Sequence, residues 1–318
     1  MESARKPSAQ ASARRPLEYF PPTKSLKFRK KKEALIETLL FFTAASSVLI
    51  TLSIVWLLVS EALPFFQNVS LLDFLTGTEW TPVFAEPKFG IAPLVSGTLM
   101  TTIVALSVAI PFGSISAIFL SQYCSNRWRE ILKPILELLA AVPTVVYGYF
   151  AVMTVTPLLQ KIFPELGGFS ILSAGLVMGL MIVPYIASLT EDALRSVPSS
   201  LREASMALGA TRLQTSFRVL FPSALSGITA AYVLGVSRAL GETMVVAIAA
   251  GMNPNFTLNP LHPAATLTAF IVQISLGDVP HGSIGYQSIY VAGLVLLMMT
   301  LVFNILGLSL RRRFRESL

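Results

Sequence analysis

Six runs of apolar residues separated by polar segments set the plan of this chain. They cover residues 38–60, 94–120, 138–160, 170–190, 219–237 with a continuation past an interruption to 251, and 286–310. At about 1.5 Å per residue each can cross a hydrocarbon layer of about 30 Å, so the pattern predicts an all-α, polytopic membrane protein with six transmembrane helices. Proline enters three runs, at Pro111, Pro143 and Pro184. Such prolines either kink an ordinary bundle helix or break a span beside a cavity, and the pattern leaves both readings open. Small residues in the second run (Gly113, Ser114, Ser116, Ala117) and the fifth (Gly235, Ala239, Gly241) predict close helix approach or a dimer contact.

The polar segment Ser196 to Arg218 has its own pattern. Pro198 suits a helix entry, and Ser200 with Glu203 has the spacing of a capping box. Leu201, Ala204 or Ser205, and Leu208 then recur on one face, and Gly209 is a natural stop. Thr211 and Gln214 form a second capping box that starts a helix toward Pro222, so the segment reads helix, turn, helix. The loop from Pro64 to Pro93 predicts a small irregular cap with Trp80 as an interfacial anchor. Between Met252 and Tyr286 the stretch Thr266 to Asp278 predicts a short helix, stopped by Gly277, that lies on or dips into the outer face.

Composition excludes an ordinary soluble domain, because 53% of the 318 residues are hydrophobic, 13% are charged and the mean hydropathy is +0.68. Lys and Arg alternate in density from loop to loop. The amino-terminal tail holds ten, residues 121–133 three, residues 191–218 four and the carboxyl tail four, while the intervening loops hold only Lys88 and Lys161. By the positive-inside rule both termini and the Glu203 loop face the cytoplasm. The first apolar run predicts a retained anchor rather than a cleaved signal. Residues 1–33 form a basic cytoplasmic tail, disordered over 1–28, whose Arg29–Lys32 cluster is expected against anionic lipid headgroups at about 1 kcal/mol per charge, not on nucleic acid. Residues 34–93 carry the first span and the exterior loop, 94–310 the transmembrane core with the loop 191–218, and 311–318 a second basic tail. One cysteine, Cys124, excludes an intrachain disulfide, and His262, His281 and Asp278 are too few for a metal site.

Arg238 and Glu242 interrupt the fifth run, within Ser237-Arg238-Ala239-Leu240-Gly241-Glu242-Thr243. An ionised arginine at mid-membrane costs about 2.5–3.5 kcal/mol on insertion scales, so it must meet protein, water or a partner charge. On a continuous helix the two side chains share one face, which leaves two readings: a self-neutralising pair, or a charged element on a permeation path where Arg238 attracts an anion and Glu242 releases or restrains it.

The Glu203-Ala204-Ser205 run, with three residues between it and Gly209 and with Pro222 beyond, resembles the EAA loop of ABC importer permeases, with Ser205 in place of the second alanine. Together with Arg238 to Met244 and the stretch Ile271 to Asp278, it resembles the C-type permease subunit of phosphate-specific (Pst-type) ABC importers over roughly residues 60–310. The resemblance implies the type I ABC importer permease fold in a bacterial inner membrane. It implies a coupling loop at Arg202, Glu203, Ala204, Ser205, Gly209 and Ala210, and a translocation pathway at Ser237, Arg238, Glu242 and Thr243. Contact with the binding protein is expected at Gln273 and Asp278. The implied partners are a second, A-type permease, two ATPase subunits that bind ATP and Mg, and an extracytoplasmic phosphate-binding protein. This chain has no Gly-x-x-x-x-Gly-Lys-[Ser/Thr] segment, so hydrolysis is assigned to the ATPase and no catalytic residue or cofactor to this chain. Permeation of another oxyanion such as sulfate or molybdate, and a role in signalling phosphate status, remain as alternatives. An intramembrane enzyme is disfavoured, because no span carries a histidine.

Overall fold

The computed structural model describes residues 25–277 and 279–315. Helix α1 (Ser25–Asn68) has no charged residue from Thr38 to Ser60 and apolar residues on every side of that stretch, the signature of a membrane span. Its residues up to Ile54 form one compact unit and Val55 onward belongs to a second. In the first unit Leu39, Phe41, Phe42, Leu49 and Ile50 are all exposed.

The second unit continues with α2 (Leu71–Thr76), α3 (Ala92–Ile118, extended by a π turn to Tyr123), α4 (Asn126–Ala140), α5 (Thr144–Phe150) and α6 (Thr156–Gln160). Then come α7 (Ile171–Arg195), α8 (Ser199–Ala207), α9 (Arg212–Thr215), α10 (Phe221–Ser223), α11 (Leu225–Leu240), α12 (Met244–Ala249), α13 (Leu267–Ser275) and α14 (Ile284–Arg315). Among the described residues four helices are individually long and apolar enough to cross a membrane, and six spans result if each of two bent pairs counts as one. The architecture is all-α, as the apolar pattern predicts.

The bends fall where the backbone cannot continue. The expected third span, 138–160, is divided: α4 meets the helix that starts at Thr144 at 83°. Pro143 has no N–H to donate and pushes Val142 out of the helical region, so the chain turns at 141–143. The fifth run bends by 76° at Ala224, between α10 and α11, and breaks again at Gly241–Thr243. Pro111 and Pro184 leave α3 and α7 unbroken.

Around α3 and α7 the core packs closely because glycines sit at the crossings. A β-carbon on Gly179 would lie 2.7 Å from the Ala105 carbonyl oxygen, and one on Gly113 or Gly235 would lie 2.8 or 2.9 Å from Ile186. These contacts bear out close approach within the bundle. Met178, Met181, Ile182 and Val245 fill the centre. At one end Phe65, Phe74, Trp80, Phe89 and Phe270 meet edge to face, with ring centroids 5.0–6.3 Å apart. Trp80 is therefore a core residue, 1% exposed, and not an interfacial anchor. Its loop closes on itself through paired backbone at Trp80 and Phe89, which turns the aromatic ring inward.

At the opposite end a buried carboxylate fixes α4 to α7. Glu191 is 0% exposed, and its carboxylate accepts from Arg129 Nε at 2.7 Å and Lys133 Nζ at 2.9 Å, with Arg195 Nε at 3.7 Å. Lys133 also donates to Asp192. Arg129 and Lys133, four apart, share the face of α4 turned to α7, and Trp128, Ile131, Ile135 and Leu138 form an exposed stripe on the other side. Removing the carboxylate alone strands Arg129 and leaves Lys133 with Asp192 as its remaining carboxylate. Both cations retain about a fifth of their side-chain surface (22% and 20%), so they can turn outward and the cost falls below the ~3–5 kcal/mol of a fully buried survivor. Glu191→Leu is expected to lower the thermal midpoint and to speed amide exchange across 126–140, and the triple change Glu191→Leu, Arg129→Met, Lys133→Met to recover much of the midpoint. Unchanged exchange in α4 of the single variant would show that the cluster does not hold it.

Candidate functional site

The segment after α7 folds as helix, turn, helix, by partly different contacts from those its spacing predicts. Helix α8 begins at Ser199 with Pro198 as its N-cap (φ −55°, ψ 136°) and has no side-chain cap. The expected capping box at Ser200 and Glu203 does not form, because Ser200 already has helical backbone and its hydroxyl cannot reach back as a cap. The end of the helix follows the glycine logic closely. Gly209 sits at φ +85°, its N–H reaches the Met206 carbonyl at 3.0 Å, and the Ala210 N–H reaches the Ser205 carbonyl at 3.2 Å, which together make a Schellman ending. The second capping box is present: Thr211 Oγ1 accepts from the Gln214 N–H, and Gln214 Oε1 accepts from the Thr211 N–H.

Two side chains brace this hairpin. Ser205 lies 2.9 Å from the Thr215 hydroxyl, so the serine that replaces the family's second alanine links α8 to the following helix. Arg202 donates through Nη2 to the Ser121 carbonyl at the end of α3, at 3.4 Å. The opposite surface is open: Leu201, Glu203, Ala204 and Leu208, the last 90% exposed, point away from the bundle, and Ala210 is half-buried. An exposed leucine at the tip of a rigid turn, beside one carboxylate, is the shape of a knob that fits a groove.

The broken fifth span is the second element. Helix α11 stops at Leu240, the Glu242 carboxylate is engaged at the start of α12, and no ion pair joins it to Arg238. Glu242 is 8% exposed and works locally: Oε1 accepts the Val245 N–H at 3.3 Å, at the start of α12, and its carbonyl accepts the Thr268 hydroxyl at 2.6 Å. Thr268 in turn sits 3.1 Å from Thr266, the N-cap of α13, and the Leu267 N–H donates to Thr98 Oγ1 on α3 at 3.0 Å. Arg238 is exposed, with its guanidinium carbon 5.8 Å from the ring centroid of Tyr185 on α7. Ser237 faces α14, 3.0 Å from Asn304 Oδ1, and Thr243 contacts the Gly241 carbonyl at 3.3 Å.

Of the two expected positions on the last loop, Gln273 is exposed, and Asp278 lies outside the described residues. Helix α13 dips inward and does not lie on the surface, since Leu267, Thr268, Ala269, Phe270 and Ile274 are buried. His262 sits among Thr257 and Asn259, and His281 packs edge-on against Tyr286. Sequence reasoning missed Thr268, Tyr185 and the Glu191 cluster. Thr266 carried a readable N-cap signal before an apolar run, whereas the partners of Thr98 and Tyr185 are set only by tertiary packing.

Residues 109–316 match the family described as binding-protein-dependent transport system inner membrane component. A probable ABC transporter permease protein, YqgH of Bacillus subtilis, is 38% identical over 85% of this chain and 87% of its own length. The probable phosphate transport system permease protein PstC of Methanocaldococcus jannaschii is 30% identical over 80% of this chain and 86% of its own. Among solved structures, a bacterial ABC transporter involved in the import of the acidic polysaccharide alginate aligns with a TM-score of 0.56 at 17% identity, covering 90% of this chain and 99% of that one. That likeness establishes the fold, and the family match covers well over half of the sequence. The chain belongs to the binding-protein-dependent transport system inner membrane components, the type I permeases of ABC importers.

Proposed function

We propose that this chain is the permease subunit of an ATP-driven importer of inorganic phosphate, forming half of the translocation pathway with a second, A-type permease. Arg238 carries the reading: it is a cation on a membrane span that no carboxylate among the described residues neutralises, which is what an anion path requires. Relatives named as phosphate transport permeases supply the choice of phosphate. Glu242 is assigned the positioning role, holding the break that ends α11 two residues past Arg238.

Two ATPase subunits that bind ATP and Mg would dock at the coupling segment, taking the Leu208 knob and Glu203 in a groove. The Ser205 and Arg202 contacts stiffen that knob, so a push on it moves α8 and α9 together and reaches the end of α3. An extracytoplasmic phosphate-binding protein would deliver the anion near Gln273. The excess of Lys and Arg on the coupling-segment side supports cytoplasmic termini in a bacterial inner membrane.

Two outcomes check this reading. Gly209→Pro should abolish uptake and ATPase recruitment while the chain still inserts, because proline cannot adopt φ +85° and lacks the N–H that Met206 receives. Gly209→Ala should be milder, at about 1–2 kcal/mol of left-handed strain. Full uptake by a well-expressed Gly209→Pro chain would remove the coupling role. Arg238→Gln should lose phosphate uptake per assembled complex, Arg238→Lys should be intermediate because a point charge replaces a planar fork, and Arg238→Gln with Glu242→Gln should stay defective. Near-normal uptake by the double variant would return the two residues to a purely structural role. Competition by sulfate or molybdate as strong as by phosphate would reassign the substrate.

A further inference from the structure

Behind the coupling segment, on the face turned away from the Leu208 knob, lies a polar cavity of about 290 Å³. Its wall includes Ser121 and Gln122 at the end of α3, Asn126 at the start of α4, Arg195 at the end of α7, and Ser199 and Arg202 on α8. Two guanidinium groups and four neutral polar side chains line it, and no carboxylate does. A second polar recess of about 170 Å³ continues from Gln122 and Arg202 to Arg212, again without a carboxylate. Arg202 spends one N–H on the Ser121 carbonyl at a long 3.4 Å. Arg195 is the outermost of the three cations around Glu191, at 3.7 Å, where Arg129 and Lys133 already hold both carboxylate oxygens at 2.7 and 2.9 Å. Both arginines therefore keep donors to spare toward the cavity. The first turn of the nine-residue α8 opens into the same space, which adds its unpaired amide groups and the positive end of its dipole.

We infer that this cavity is a binding site for a phosphate group, distinct from the Arg238 region, at the junction of α7 with the coupling segment. Planar guanidinium forks suit the tetrahedral oxyanion of phosphate, and the volume is near the lower end of small-molecule sites, about 300–1,000 Å³. The cavity lies where two spans end, so the group can come from free inorganic phosphate or from the headgroup of an anionic lipid such as phosphatidylglycerol. An occupant bridging Arg195 and Arg202 ties the last turn of α7 to the first turn of α8 and braces the coupling segment in the orientation seen here. The inference does not depend on which anion the bundle carries.

Cys124, the chain's single cysteine, also lines the cavity and is half-buried, so its reactivity reports occupancy. The assembled transporter is placed in phosphatidylcholine nanodiscs, and alkylation of Cys124 by N-ethylmaleimide is followed by mass spectrometry of this chain. Inorganic phosphate is added, or phosphatidylglycerol replaces part of the phosphatidylcholine, against chloride at matched ionic strength. One of the two is expected to slow alkylation saturably, and Arg195→Gln to raise the half-protecting level about tenfold, as loss of one charge-assisted hydrogen bond requires. Protection by phosphate alone assigns the free ion, and protection by phosphatidylglycerol alone assigns the lipid. Asn126→Asp, which puts a carboxylate at the wall, should abolish protection even if Arg195→Gln fails to assemble. Equal rates in phosphate, phosphatidylglycerol and chloride, or protection that persists in Asn126→Asp, would overturn the site.

Discussion

A helix interrupted inside a membrane leaves backbone N–H and C=O groups with no water to take them, and each unsatisfied group costs several kcal/mol. The break at Gly241–Thr243 exists because the protein supplies the missing partners. Glu242 receives the Val245 N–H with its carboxylate and offers its carbonyl to Thr268, while Thr98 on α3 receives the Leu267 N–H at the entry of α13. These contacts sew α11, α12 and α13 to α3 around the interruption. Because α11 ends at Leu240, the Glu242 carboxylate is engaged at the start of α12, and the arginine lies over Tyr185 without a carboxylate partner among the described residues. The cation on the proposed path is thus a consequence of where the helix stops.

The same accounting of polar groups governs the other end of the bundle. Three cations surround the buried Glu191, which makes the end of α7 a fixed point for α4, and the chain then enters α8 within four residues of Arg195. Arg202 and Ser205 anchor α8 to α3 and to Thr215, so the hairpin proposed as the coupling segment is joined to the span ends on its inner side and bare on its outer side. An ATPase docked on Leu208, as proposed, would act through these contacts, and the proposed phosphate group lies among them. Large exposed apolar surfaces on α4 and α5, including Ile131, Val146 and Tyr149, leave room for lipid and for a second permease.

Much of this was legible in the residues, for local reasons. Length and hydropathy predict the six spans, Pro143 marks the break in the third, Gly209 demands its left-handed turn, and Thr211 with Gln214 caps the helix that follows. What failed depends on packing. Ser200 and Glu203 have the spacing of a capping box, but with Pro198 as N-cap the helix starts two residues earlier. Trp80 has the composition of an interfacial anchor, yet the rings of Phe74, Phe89 and Phe270 enclose it. The spacing of Arg238 and Glu242 implies a shared face only if the helix continues, and no local signal between Leu240 and Met244 other than Gly241 announces the stop. Glu191 reads as a loop charge until α7 is seen to run to Arg195.

The central claim is that Glu242 serves as the cap that holds the broken span, leaving Arg238 available to the anion. Replacing the carboxylate by an amide separates acceptor from charge, since glutamine keeps an oxygen for the Val245 N–H and loses the negative charge. The direct measurement is thermal stability and phosphate uptake of the assembled transporter for Glu242→Gln and Glu242→Leu. The expected result is a glutamine variant close to the parent in both, and a leucine variant that loses about 1 kcal/mol, the usual worth of a cap, with uptake falling alongside. A glutamine variant as impaired as the leucine one would show that the charge matters and would contradict the capping account.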